Sequence, residues 1–336
     1  MHAGKSYTFK ELIFWTRRSI YWLIIVGTIP TVLYAVFGIK WIALPWTVVA
    51  LLGTATAFIV GFRNSQTYSR TWEARQIWGA ILNGSRAWGT MCRDFIHDST
   101  TTQQLVYRHF AWLTALRYQM REQRAWETMN EAYNVEYQSR VFTVPEKETP
   151  LDKELAKYLS EEELAYILTT KNKAAQLLSL QSKTLKQLLD NQKIDNLLFV
   201  EMQRALKDFF DQQGRSERIK NFPYPRQFAT INKVLVKLFC IMLPFSMLKE
   251  FDKLNDSLTG IFHGHMVWFT IPFSVLLSWV FTSLDQVGQS TENPFEGSSN
   301  DVPISQMSRT IEIDLREMLG ETHLPPALQP KNNIIL

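Results

Sequence analysis

The sequence predicts an all-α membrane protein, with four spanning helices and a large helical region in the cytoplasm. Three observations carry the prediction. Long stretches free of charge recur, each long enough to cross a bilayer. Charged residues crowd into the chain between them. Lysine and arginine gather at one side of those stretches and are scarce at the other. Mean hydropathy over the whole chain is close to zero and hides this segregation.

The first stretch covers residues 19–39 and the second residues 41–62, 21 and 22 positions without a charge. A helix rises about 1.5 Å per residue, so either crosses a hydrocarbon core of about 30 Å. The first follows Lys5, Lys10, Arg17 and Arg18 and is too long for the apolar core of a signal peptide, so it reads as a retained span. The third span, residues 231–248, carries Lys233 and Lys237 near one end, where their stems can snorkel to the headgroups. The fourth begins with the charge-free residues 266–284.

Charge then sets the expected topology. Arg63, Arg70 and Arg75 follow the second span, and Arg215, Arg218, Lys220 and Arg226 precede the third. The first turn offers only Lys40, and the turn after the third span balances Lys249 and Lys253 with Glu250, Asp252 and Asp256. Both termini are therefore expected in the cytoplasm. Trp15, Trp22, Trp41, Trp46 and Trp268 fall near the interfaces, where indoles are favoured. The expected division is an N-terminal cytoplasmic segment (1–18), two spans (19–62), a cytoplasmic helical region (63–230), two further spans (231–288), and a C-terminal turn, helix and tail (289–336).

Within the cytoplasmic region, Trp72, Arg75, Trp78, Ile81 and Leu82 keep helical spacing, so the second span is expected to run on without a break. The charged stretch from Val144 and Pro145 to Thr149 and Pro150 reads as a linker. Ser160 with Glu163 has the capping-box pattern. An amphipathic stretch runs over residues 174–210, and Pro223 and Pro225 break the chain before the third span. After the fourth span, Asn300 or Asp301 is expected to cap a final helix with Pro303 in its first turn and Gly320 past its end. Ile304, Met307, Ile311, Leu315 and Met318 form an apolar stripe on it that needs a surface to cover. Residues 323–336 show no periodicity.

Composition excludes several classes. A net charge of +4, with both signs interspersed, offers no basic face for nucleic acid. Cys92 and Cys240 lie far apart and have neither redox nor metal spacing. His263 and His265 are the nearest approach to a metal pair and lack a carboxylate or thiol at ligand distance in sequence. No phosphate-binding glycine loop, nucleophile motif or intramembrane catalytic set is present, so no catalytic residue, metal or cofactor is assigned.

The second span carries the functional signal. Gly53, Ala57 and Gly61 form a small-residue stripe that allows close helix packing. Thr54, Phe58 and Phe62 form a second stripe about 100° away. If the first packs beside a neighbour, the second can face an axis shared by several subunits. Rings of phenylalanine there would make an apolar constriction that gates by dewetting, and their ring edges could solvate an anion. The pattern alone leaves open that both phenylalanines face lipid or the bundle core.

At this segment the chain resembles the bestrophin family in its bacterial form. The matching residues are Gly61-Phe62-Arg63-Asn64-Ser65, Tyr68 with Arg70, and Trp72-Glu73-Ala74-Arg75 followed by Trp78-Gly79. Glu217-Arg218-Ile219-Lys220-Asn221 ahead of Pro223 and Pro225 matches too, as does Asn293-Pro294-Phe295-Glu296-Gly297 with Asn300, Asp301 and Pro303. The resemblance implies a homopentamer around one central pore in the plasma membrane, passing small monovalent ions, with the lipid bilayer and its own copies as partners. It places a three-ring neck at Thr54, Phe58 and Phe62, and a cytoplasmic aperture at Ile219. Thr54 departs from the usual bulky apolar residue, which implies a wider, wetter outer ring. Animal and plant relatives conduct anions such as chloride, whereas bacterial relatives can favour cations. Animal members bind calcium through acidic residues after the Asn-Pro-Phe turn; here Glu296-Gly297-Ser298-Ser299 stands in their place, which argues against calcium gating of that kind. A rival expectation is a membrane scaffold or sensor whose final-helix stripe docks a partner.

Overall fold

The computed structural model describes residues 1–257 and 262–336. Its helices are α1 (Phe9–Ala35), α2 (Trp46–Phe95), α3 (Ser99–Arg121), α4 (Ala132–Val141), α5 (Pro145–Glu148), α6 (Leu151–Leu155), α7 (Glu161–Thr169), α8 (Lys173–Asp190), α9 (Asn196–Asn221), α10 (Arg226–Leu254), α11 (Thr270–Ser290) and α12 (Ile304–Met318). Among the described residues the only extended pairing is isolated bridges such as His2 to Ile334. Two compact units result.

The first unit holds residues 6–69 and 223–292. Four helical segments, Phe9–Ala35, Lys40–Phe95 (of which residues 40–69 belong to this unit), Arg226–Leu254 and Met266–Ser290, are long and apolar enough to cross a membrane. Thr8 starts α1 with a full capping box. Its hydroxyl accepts from the Glu11 amide at 3.3 Å, and the Glu11 carboxylate accepts the Thr8 N–H at 2.6 Å. Pro30 lies inside α1, and the Thr31 hydroxyl beside it donates to the Gly27 carbonyl at 2.8 Å. Helices α1, α10 and α11 pack together, with Trp279 Nε1 donating to Thr16 Oγ1 at 2.9 Å. Lys233 and Lys237 are exposed near the start of α10.

The second unit holds residues 1–5, 70–222 and 293–336. Its centre is α3, apolar on most sides and therefore surrounded: Leu105, Val106, Ala111, Trp112, Leu113 and Leu116 are all buried. Trp78 and Trp88 of α2, Phe209 of α9 and Phe295 complete the core. The stripe on α12 closes onto this same core, with Ile304, Ile311 and Leu315 fully buried. Gly89 permits the approach, since a Cβ there would sit 2.8 Å from Leu315 Cγ.

Several expectations give way here. The proposed linker is folded, because Pro145 occupies the first turn of α5, where a missing N–H costs nothing, and Val144 and Glu146 are buried. The stretch over residues 174–210 is two helices, α8 and α9, separated by a turn in which Gln192 takes φ +55°. Ser160 does cap α7, accepting from the Glu163 amide at 3.3 Å. Asp301 does not cap α12: the N-cap position is Pro303, and Asp301 is fully buried with other partners. Gly320 follows the helix at φ +77°.

Candidate functional site

Within α2, residues 46–69 present two unlike sides. Val49, Gly53, Thr56, Val60 and Arg63 are buried, recurring every three or four positions, with Val49, Gly53, Val60 and Arg63 set against residues of α10 and α11. Thr54, Phe58 and Phe62 lie on an open side: Phe58 is 75 % exposed and Phe62 49 %. The Thr54 hydroxyl returns to its own helix, donating to the Ala50 carbonyl at 3.0 Å. Of the small residues beside them, Gly53 is pressed against Phe239, so closely that a Cβ would sit 2.7 Å from the ring. Ala57 and Gly61 face open space.

Directly after Phe62 the helix is tied down by polar groups. Arg63 Nη1 donates to Asp285 Oδ1 at 2.7 Å and Nη2 to Glu292 Oε2 at 2.8 Å. Asp285 also accepts from Asn232 and from Gln289 Nε2, and the other Glu292 oxygen accepts from Arg226. Asn64 Nδ2 donates to the Leu284 carbonyl at 3.1 Å, and Thr291 Oγ1 to Thr67 Oγ1 at 3.0 Å. Two guanidiniums face two carboxylates, so the buried cluster is balanced. The motif reading missed this cluster. Its signal was an arginine and an aspartate at the ends of two apolar runs, where a buried charge demands a partner.

Ile219 requires correction. It is 3 % exposed and belongs to the core of the second unit, so its side chain lines no open surface of the chain. On α9 the buried positions are Met202, Leu206, Phe209, Gln213, Ser216 and Ile219, and helical spacing makes Ile219 the last of that inward row. Its carbonyl does accept from Arg70, whose guanidinium also reaches the Phe222 carbonyl at 2.5 Å.

The family described as bacterial/fungal bestrophin protein matches residues 17–317. The chain belongs to that family. It is 29 % identical over 298 residues to the voltage-dependent anion channel-forming protein YneE of Escherichia coli strain K12, spanning 88 % of this chain and 83 % of that one. A protein of the same description from Ralstonia nicotianae is 25 % identical over 82 % of this chain and 78 % of its own length. Among solved structures, the bacterial bestrophin homolog from Klebsiella pneumoniae superposes with a TM-score of 0.76 at 25 % identity, covering 91 % of this chain and 99 % of that one. With the four apolar helices, membership makes this a multi-pass membrane protein of a channel family.

The remaining bestrophin motifs build a buried polar turn in the second unit. Gly297 takes φ +94°, a conformation that favours glycine. Its amide donates to Asp301 at 2.6 Å, and Ser298 Oγ to the same carboxylate at 2.5 Å. Arg121 Nη1 neutralises Asp301 at 2.8 Å. Glu296 accepts from the amide and hydroxyl of Thr128, both at 2.8 Å. Burial, reinforced by nearby Asp301, pushes the Glu296 carboxyl up to about 8. Lys220 pairs with Glu127, and burial draws its ammonium below the usual lysine range. His263 Nδ1 lies 3.0 Å from the Asn255 carbonyl, and no group of three His, Cys, Asp or Glu placed to hold a metal occurs among the described residues.

Proposed function

We propose that this bestrophin is one subunit of a pentameric channel that passes small monovalent anions across the plasma membrane through a neck of Thr54, Phe58 and Phe62. The observation that carries the reading is the open face of α2. Two phenylalanines one turn apart stay uncovered on a helix whose other side is packed and ionically fastened. Lipid could cover an isolated aromatic side chain equally well, and what favours an axis is the family. Its relatives from E. coli and R. nicotianae are named anion channel-forming proteins. Ring edges carry partial positive charge, which suits an anion stripped of part of its water, and an apolar ring closes by dewetting. Both termini lie inside on the distribution of lysine and arginine. Placing Gly53, Ala57 and Gly61 at the flank of each α2 leaves Ala57 and Gly61 open for a neighbouring subunit. The exit constriction is not assigned to the Ile219 side chain.

The scaffold alternative loses its motive, because the α12 stripe it needed is buried within this chain. No step of chemistry is assigned to the protein. The test is anion flux into proteoliposomes. Phe62→Ala should raise flux about tenfold, the scale on which one lost ring lowers a dewetting barrier of about 1.4 kcal/mol. Reversal potentials in asymmetric chloride salts should follow the anion, and mass in detergent should correspond to five chains. Unchanged flux through folded Phe62→Ala protein would sink the neck.

A further inference from the structure

The open face and the buried charge cluster of α2 are adjacent in sequence, and the second can govern the first. Phe62 and Arg63 are consecutive, so about 100° of helix separates their directions. Apolar side chains packed on a neighbouring helix tolerate small rotations, because dispersion contacts have no preferred angle. A guanidinium fork does tolerate less, since its planar donors must meet their acceptors in line. Here the two arms of Arg63 go to different carboxylates, Asp285 of α11 at 2.7 Å and Glu292 at 2.8 Å, and Arg63 itself is only 4 % exposed. Those acceptors are in turn held, Asp285 by Asn232 of α10 and by Gln289, and Glu292 by Arg226. One residue on, Asn64 binds the Leu284 carbonyl and fills the space that the missing side chain of Gly288 leaves. One turn further, Thr67 meets Thr291 at 3.0 Å. The helix therefore has three directional attachments within about one and a half turns of Phe62, all to its own subunit.

We propose that Arg63 is the positioning residue of the neck: its fork on Asp285 and Glu292 sets the rotation of α2, and so the direction in which Phe58 and Phe62 point. Arg63 touches no permeating ion. It acts through the two aromatic rings, with Asn64 and Gly288 supporting the same angle. The inference rests on the neck reading above and adds to it a residue that the motif alone does not mark as part of the gate.

The experiment is anion flux and permeability ratio in proteoliposomes, on the full chain, with the Arg63 variants made alone and together with Phe62→Ala. Arg63→Lys keeps the charge and loses the fork. It should raise flux about threefold and increase the permeability of large anions relative to small ones, while the detergent mass stays that of the parent. In the Phe62→Ala background its effect should shrink, because only Phe58 of the two rings it orients remains. Gly288→Ala alters no charge, displaces the Asn64 side chain, and should move both readouts the same way by a smaller factor; it decides the matter if Arg63→Lys fails to assemble. A purely structural role would reduce the yield of assembled protein and leave the permeability ratio alone. Wild-type flux and ratio in both variants overturn the proposal, as does an undiminished effect of Arg63→Lys on top of Phe62→Ala. If Phe62→Ala itself leaves flux unchanged, the neck falls first and the positioning role with it; if only the Arg63 and Gly288 variants are silent, the neck stands without this device.

Discussion

The two compact units bury opposite kinds of side chain. In the unit containing α3, the hidden residues are large and apolar, such as Trp88, Trp112, Leu113 and Phe209. In the unit containing the four apolar helices, many of the hidden residues are small or hydroxylated: Thr31, Thr56, Ser246, Ser274 and Ser278 are buried, while Ile25 is 57 % and Leu51 73 % exposed. Water expels apolar surface and gives the first pattern. Hydrocarbon gains nothing from hiding leucine, so helices meet where small residues let backbones approach, and their hydroxyls bond to carbonyls of their own helix. Thr56 to the Leu52 carbonyl, at 2.8 Å, is one such bond. The same chain is thus folded against two solvents.

The largest expected effect tests that contrast. Trp112 is fully buried, its Nε1 donates to Gln213 at 3.0 Å, and its ring lies 5.0 Å from that of Phe209. Trp112→Ala should destabilise its unit by about 3–5 kcal/mol. Leu51→Ala, at a residue three-quarters exposed in the other unit, should change stability in lipid by less than about 0.5 kcal/mol. Comparable losses for both, in denaturant titrations of reconstituted protein, would break the comparison.

A second effect separates the units by how they balance buried charge. Around Arg63, two carboxylates meet two guanidiniums. In the other unit Lys220 pairs with Glu127 and Arg121 with Asp301, while Glu296 is held by Thr128 and has no cation paired to it among the described residues. Glu296 holds a proton instead, its pKa raised from 4.5 to about 8 chiefly by burial and then by Asp301. Between those values the folded chain holds a proton that the unfolded chain has lost, so stability is fully present below about 4.5 and falls as pH rises through about 8. One proton limits the loss between pH 6 and pH 8 to about 2.7 kcal/mol. Unfolding midpoints measured across that range should fall in the parent and flatten in Glu296→Gln. A midpoint that rises with pH in the parent would refute the assignment.

The legible parts of the molecule were those decided locally. A run such as residues 41–62 has no soluble alternative, and the spacing from Trp72 to Leu82 already demanded that α2 continue. The Phe58 and Phe62 stripe was visible for the same reason. What stayed hidden depended on distant partners. Arg63 finds Asp285 across 222 positions, and no spacing rule links them. The turn at Gln192 lacks the glycine or proline that usually announces one. The prolines of the Val144–Pro150 stretch suggest a linker, but the first turn of a helix accepts proline, and Pro145 sits in one. The resemblance alone puts Ile219 at an aperture, whereas the periodicity of α9 points it inward.

The smallest effect sharpens the comparison at helix starts, where both units face water and should obey the same rule. Thr8 opens α1 and Ser160 opens α7, and each hydroxyl accepts from an amide three residues on at 3.3 Å. Removing either oxygen leaves one first-turn N–H to solvent, so Thr8→Ala and Ser160→Ala should each cost about 1 kcal/mol. Hydrogen exchange gives a local measure, since the Glu11 and Glu163 amides should each exchange about fivefold faster, a factor matching that energy. The membrane beyond Thr8 offers no substitute donor or acceptor to a first turn that lies ahead of the apolar run. A silent Thr8→Ala beside a responsive Ser160→Ala would mean that the start of α1 is held by its apolar continuation rather than by its cap. The solvent contrast would then extend to the very ends of the helices.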